Sequence, residues 1–469
     1  MPSAIILPIN KNGGNNMAKK IDTTNGNIVR IIFAFTIPVV LSTILQNLFN
    51  IVDKAVLGNM AGPVAVASIG ATSTVINLVI NGAVGLSSGV SRILARYIGQ
   101  KDTEKTRQTI STALITAVLL GVVVATVSFL FAPYFMTAMN CPAECYNGAV
   151  IYMRIYLSAA PATLIFNFGS AVLRSLGDTR KPLAYVTIAG VVNVVLNIIL
   201  CLILAEKVMA VAIATVVSKV ICATLVVRRI LKFDDNLGLK LSAMRFNMHA
   251  FFKILRFGIP SSISILMYPL ANLQITAAIN SFGVDAVAGS SGAESIHTVV
   301  AAFAGGFGTA TTTMLGQNIG ARKPNRVKRP FWYILGFAVL ISGILGATVY
   351  LTGRLWLKAI IGASSTAAID YGMKRIFFVT CFAAIQSANS VLSHAFQALG
   401  YPLFTTVSDV VFTLVFRAAW MQFVYPQSST FDTLMSCFTV SWVLNLMFYI
   451  VAFAFIFTRY IKKGICKII

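Results

Sequence analysis

The sequence predicts an all-α polytopic membrane protein, with twelve transmembrane helices in two six-helix bundles related by a pseudo-twofold axis. Three observations carry that prediction: long apolar segments, a one-sided distribution of Lys and Arg, and short strings that recur about 220 residues apart. Apolar residues make up 57% of the 469 and charged residues only 11%, against about 25% charged in an ordinary soluble domain. So few charges cannot cover the surface of a soluble enzyme, and the apolar content excludes a disordered chain. The formal net charge of +23 could suit a nucleic-acid binder, but such proteins carry their basic patches on charge-rich soluble domains.

A hydrocarbon core of about 30 Å takes roughly 20 apolar residues per helix. Suitable segments run over 31–58, 64–91, 108–132, 148–173, 183–205, 208–230, 253–282, 286–316, 331–352, 371–398, 402–425 and 434–458. Breakers such as Pro38, Pro161, Pro260 and Pro269 are tolerated in a bundle, where neighbours and water re-satisfy the freed backbone. Residues 1–16 differ from the rest: a short run at Ile5–Leu7 precedes a polar, Gly/Asn-rich stretch at Lys11–Asn16. That run is too short and poorly placed for a cleavable signal peptide. Met17, followed by Ala18-Lys19-Lys20, reads as the more natural start, leaving 1–16 disordered or over-called.

The positive charges sort by side. The N-terminal segment, the loop from Arg92 to Arg107, the Arg174–Lys181 junction, the segment from Arg228 to Arg256, Arg322–Arg329 and the C-terminal tail hold 28 Lys and Arg. The opposite loops hold Lys207, Arg354 and Lys358. The positive-inside rule then places both termini in the cytoplasm. Lys54, Arg154, Lys219, Lys374, Arg375 and Arg417 remain, in or near helices.

Four matches in register point to an internal repeat. Phe35-Thr36-Ile37-Pro38 returns as Phe257-Gly258-Ile259-Pro260, Ala65-Val66-Ala67 as Ala286-Val287-Ala288, and Ile98-Gly99 as Ile319-Gly320. Leu176-Gly177 with Pro182-Leu183 returns as Leu399-Gly400 with Pro402-Leu403. The expected division is an N-terminal segment (1–27), a bundle over 28–230, a cytoplasmic linker (231–252), a second bundle over 253–460 and a basic tail (461–469). An even number of spans keeps both halves the same way up, with the symmetry axis along the membrane normal and a ligand pathway between the bundles.

Few of the 14 acidic residues lie at membrane depth, and Asp53 in the first span is the clearest. A carboxylate at the bilayer centre costs about 2.5–3.5 kcal/mol on insertion scales, so a buried one usually faces a cavity and has a function. Gln46, Asn50 and Asp53 fall at i, i+4 and i+7 on one helix face, with Asn47 beside it. Ser73, Asn77 and Asn81 form a stripe on the second span, and Asn167, Asn193 and Asn197 add amides from the fourth and fifth. Amide oxygens around one carboxylate suit a hard cation such as Na⁺ or a carboxyl that takes up and releases a proton. The competing reading is that these amides only bond between helices.

Glu294 is a second candidate, with His297 three residues on and so on the same face; the alternative is a Glu–His pair near the outer interface. Asp409 could line a cavity or pair with a neighbouring helix, and Arg417, eight residues on, falls roughly on its face of a straight helix. Asp370 reads as a solvated interfacial charge. Met267, Tyr268, Phe303, Phe307, Met314, Phe377 and Phe382 could line a substrate cavity, since aromatics and Met suit amphipathic cations; residues at such spacing also pack cores or face lipid. Cys141 and Cys145 share an outer loop where a disulfide is possible. A phosphate-binding GxxxxGK[ST] loop, an HExxH helix and a nucleophile elbow are all absent, which argues against ATP-driven transport and intramembrane catalysis.

The chain resembles the MATE (multidrug and toxic compound extrusion) transporters from about residue 28 to 460. Gln46 through Asp53, then Leu57-Gly58 with Gly62, carry the likeness in the first span. The string Leu173-Arg174-Ser175-Leu176-Gly177-Asp178-Thr179-Arg180-Lys181-Pro182 is the most specific, and Asn193 to Asn197 and Gly316 to Ala321 also fit. The resemblance implies a V-shaped pair of bundles in a bacterial inner membrane and efflux of cationic or amphipathic organic compounds driven by Na⁺ or H⁺. It implies no other cofactor, no ATP, no nucleic acid and a monomer in the lipid bilayer. It assigns cation coupling to Asp53, Asn193 and Asn197, with Asp53 and Asn193 as Na⁺ ligands; Asn50, Asn77 and Glu294 extend that set from the residue reading. Gln46, Asn47, Asn167, Met267, Tyr268 and Asp409 are the expected substrate contacts. Many relatives have an acid where Asn197 stands, and another branch has one near Tyr268; this chain has neither. A lipid-linked oligosaccharide flippase of the same superfamily would share the architecture but should line its cavity with several Arg or Lys.

Overall fold

The computed structural model describes residues 21–139, 141–233, 239–240, 242, 244–362 and 365–463, without the side chains of 54, 63, 66 and 457–463. The segment read as disordered, 1–16, lies outside the described residues, as do 464–469 of the basic tail.

Short acceptor side chains start four of the described helices, satisfying amides that have no partner within the first turn. Asn27 accepts from the Val29 and Arg30 N–H groups ahead of α1 (Ile28–Ala61). Asp102 and Asn247 do the same for α3 (Thr103–Ala138) and α8 (Met248–Ser281). Between these lie α2 (Pro63–Gln100), α4 (Ala143–Ser158), α5 (Ala160–Ser175), α6 (Arg180–Ile203) and α7 (Lys207–Leu231). The fourth span bends by 46° between α4 and α5, where Pro161 has no N–H to continue the helix. After α8 come α9 (Val284–Gly320) and α10 (Asn325–Ile361). The tenth span runs from α11 (Thr366–Arg375) through π-helical turns at Ile376–Thr380 into α12 (Ala383–Ala398). The eleventh joins α13 (Pro402–Asp409), a π-helical stretch at Val410–Val415, α14 (Phe416–Ala419) and another at Trp420–Val424. The last is α15 (Phe431–Lys463). Among the described residues, eleven helices are long and apolar enough to cross a bilayer, and the bent α4–α5 pair, taken as one span, makes twelve. No strand occurs among the described residues.

Backbone geometry repeats at the spacing of the sequence strings. Lys101 and Arg322, at φ 59° and 54°, are the non-glycine residues with left-handed backbone among those described, and each follows a long helix, α2 or α9. Gly177 and Gly400 occupy equivalent junctions at φ 87° and 97°.

The two halves meet along α2, α8 and α9. This corrects the placement of Arg92 and Arg96 in a loop: α2 continues to Gln100, and both arginines are buried in the seam. Arg92 donates to Phe257 O at 3.0 Å, Ser261 Oγ at 2.6 Å and the Gln397 side chain, while Arg96 reaches Ala398 O at 3.3 Å. Backbones approach so closely that a Cβ on Gly99 would lie 2.0 Å from Gln317 O. Residues 21–26 lie across the same end as a strap. Ile21 N–H donates to Gly177 O, the Thr23 hydroxyl to the Gln317 side chain, Asn318 Nδ2 to Thr23 O and Arg326 to Gly26 O. Among the described residues, no hydrogen bond joins the halves beyond the Ser262–Gly82 contact at mid-helix. The hydrogen bonds between the halves are thus concentrated at the end bearing the start of α1.

Candidate functional site

The helical spacing of Gln46, Asn50 and Asp53 turns their side chains, with Asn47, into a cavity of about 310 Å³ within the N-terminal half. Asn77 and Asn81 from α2, Asn167 from α5 and Asn193 from α6 line it too, so spans distant in sequence bring their amides to one carboxylate. Asn197, one turn beyond Asn193, is fully buried behind the wall and donates its Nδ2 to Asp53 Oδ1 at 2.6 Å. The same Nδ2 lies 3.3 Å from Asn193 Oδ1, and Asn193 Nδ2 lies 3.4 Å from Thr215 Oγ1. The Asn197 Oδ1 has no partner. No Lys or Arg forms an ion pair with Asp53 among the described residues; Lys54 beside it lies outside them as a side chain.

Sequence reasoning missed Lys219 of α7 as part of this site. It lines the cavity with Asp53 and rests its ammonium over the Tyr156 ring, 4.9 Å from the centroid. The signal available was a lysine at the centre of an apolar span; the pairing across 166 positions was not legible. Gln46 bonds back to its own helix at Ser42 O, 3.2 Å away, and Asn167 Nδ2 to Thr163 O at 2.9 Å.

The C-terminal half has its own cavity of about 250 Å³, lined by Tyr268, Asp409, His394, Asn389 and Asn445, and by Arg92 reaching in from α2. Asp409 accepts from the Tyr449 hydroxyl at 3.4 Å. Asp409 thus lines the C-terminal cavity, and a π-helical stretch at Val410–Val415 separates it from Arg417. Arg417 is fully buried, donates to Ser441 Oγ and Asn272 Oδ1, and lies over the Phe438 and Tyr268 rings at 4.5 and 5.3 Å.

Glu294 lies apart from the Asp53 cavity, in an ion pair with Arg375, which also donates to Ser290. The Glu294–His297 pair does not form; both His297 ring nitrogens lack partners and the ring stacks on Trp442, 6.1 Å between centroids. Met267 lines neither cavity. Of the other proposed linings, Phe307 and Met314 are fully buried core residues with Phe303 against them, and Phe382 packs in a second core. Cys141 and Cys145 are free thiols, so the outer-loop disulfide does not form. Asp370 pairs with Arg354 at 2.7 Å, both exposed. The string Arg174–Pro182 proves to be a junction and not a lining. Asp178 there is buried, binds Arg229 at 2.8 Å and caps Lys181 N–H, while Gly177 has no room for a Cβ against Ile21 O.

A helical membrane bundle with a polar, acid-bearing cavity in each half defines a transporter and not an enzyme. The chain belongs to the MatE family, whose model matches residues 38–199 and 260–419. It is 24% identical over 400 residues to "Probable multidrug resistance protein YpnP" of Bacillus subtilis (strain 168), covering 85% of this chain and 89% of that one. In fold it is similar to "Crystal structure of MATE in the bent conformation" (TM-score 0.86, 23% identity, 96% of this chain and 99% of the other). It is also similar to "Outward-facing conformation of a multidrug resistance MATE family transporter of the MOP superfamily" (TM-score 0.84, 22% identity, 94% and 99%).

Proposed function

We propose that this chain is a secondary active antiporter that exports cationic or amphipathic organic compounds in exchange for Na⁺ or H⁺. It works as a monomer in a bacterial plasma membrane, with both termini cytoplasmic and without ATP. The observation that carries the reading is Asp53, a membrane carboxylate without an ion pair among the described residues, facing a cavity of amide side chains. Such a carboxylate can neutralise an inorganic cation, a proton or an organic cation in turn, and antiport follows when occupancy by one excludes the other. The cavity lies at the lower end of the usual range for small-molecule sites, about 300–1,000 Å³. The basic loops support the cytoplasmic assignment of the hydrogen-bonded end. Alternating access then requires the halves to separate along α2, α8 and α9 and close at the other end. The 28–230 and 253–460 bundles are the proposed moving bodies, joined by the 231–252 linker.

The names of relatives such as YpnP favour drug efflux over the flippase reading. Dye efflux from a pump-deficient bacterium, under separately imposed Na⁺ and pH gradients, tests the proposal. Asp53→Asn should lower ion-driven export by about tenfold, within the usual coupling between two sites of about 1–3 kcal/mol. Full-rate export by Asp53→Asn under both gradients would sink the coupling role.

A further inference from the structure

We propose that Lys219 is a tethered competitor for Asp53, setting how tightly the cavity holds its monovalent cation. The inference rests on Asp53 being the coupling carboxylate and goes beyond it by naming what tunes that carboxylate.

Lys219 sits at the middle of α7 (Lys207–Leu231), about 18 Å of helix from either end at 1.5 Å per residue. Its ammonium therefore cannot reach either membrane surface, as lysines near helix ends do. What it reaches is the cavity, where Asp53 is the carboxylate among the lining residues. Both line the same cavity, yet no ion pair within 4.0 Å joins them. Lys219 has no oxygen acceptor among the described residues and rests on the Tyr156 ring, while Asp53 holds the Asn197 amide. Two opposite charges thus share one small chamber with space between them.

A chamber of that kind has two ways to neutralise the carboxylate. An incoming cation can occupy it, or the flexible four-carbon arm of Lys219 can swing its ammonium across. Each excludes the other, and even from its resting place the ammonium lowers the attraction a second cation feels. The apparent affinity for the external cation is then reduced by the fraction of time the lysine occupies the site, in the manner of any competing state. A lysine placed this way keeps the coupling ion exchangeable.

Purified full-length protein in detergent can be melted in increasing NaCl, with choline chloride holding ionic strength constant. Lys219→Met should lower the half-saturating Na⁺ concentration by about tenfold, the factor expected when a like charge leaves a shared site. Lys219→Arg, which keeps the charge, should stay near the unmodified protein and so separates charge from packing. An unchanged midpoint in Lys219→Met overturns the proposal, as does an equal drop in Lys219→Arg or no Na⁺ response in any of the three. Adding Asp53→Asn distinguishes the two failures: a Na⁺ response that survives it overturns the Asp53 reading as well, whereas loss of the response with an unmoved Lys219→Met midpoint overturns the Lys219 role only.

Discussion

The two halves repeat one frame but use their buried charges differently. In the N-terminal half Asp53 faces a cavity, held by an amide and sharing its chamber with a lysine. In the C-terminal half Glu294 is matched to Arg375, and Arg417 is fixed between aromatic rings and neutral acceptors. A carboxylate already bound to arginine has little left to offer a passing cation, whereas one bound to an asparagine keeps its charge. Duplication supplied the scaffold twice, but the C-terminal cavity acid Asp409 meets the Tyr449 hydroxyl and shares its walls with Arg92, whereas Asp53 meets the Asn197 amide and shares its walls with Lys219.

That contrast can be broken or sharpened by substitution. The largest effect is expected from substituting the two cavity acids: Asp53→Asn should lower ion-driven dye export by about tenfold, while Asp409→Asn should retain most of it in the same cells. If both fail alike, the halves are functionally equivalent and the comparison collapses. Arg375→Met comes next, because it strands Glu294. Removing one partner of a buried pair costs about 3–5 kcal/mol; with the Glu294 side chain 38% exposed, a loss of about 2 kcal/mol in thermal stability is expected. Gly99→Ala should act on neither cavity but on the seam, since its Cβ would sit 2.0 Å from Gln317 O. Overpacking of this sort costs about 1–3 kcal/mol, here paid by the closed seam, and cysteine cross-linking across α2 and α9 should report the shift. The smallest change belongs to Asp370→Asn, whose exposed pair with Arg354 is worth about 0–1 kcal/mol; export and melting should both stay put.

Much of this was legible in the residues, for identifiable reasons. Helical spacing puts Gln46, Asn50 and Asp53 on one face, and the apolar spans set the membrane depth, so the Asp53 cavity could be anticipated from local pattern. Two of the repeated strings, Ile98-Gly99 with Ile319-Gly320 and Leu176-Gly177 with Leu399-Gly400, fall at helix ends, which is why left-handed positions recur there. What failed were pairings between distant spans. Nothing near Glu294 in sequence announces Arg375, and nothing near Asp53 announces Lys219. Asp409 does line the second-half cavity, one of the two alternatives its sequence position left open. Aromatics such as Phe307 were open to either reading because core and cavity residues share the same periodicity.

The strap at residues 21–26 has a practical consequence. Thr23 is held by Gln317 and Asn318, while Ile21, two positions earlier, is held by Gly177. One short peptide is thus fastened to both sides of a joint, and that joint cannot hinge open with both fastenings intact. Asp22, exposed between them, is a natural place for a nitroxide or environment-sensitive dye. A label there would serve as a built-in reporter, giving release of the strap from either side of the joint as a spectroscopic signal.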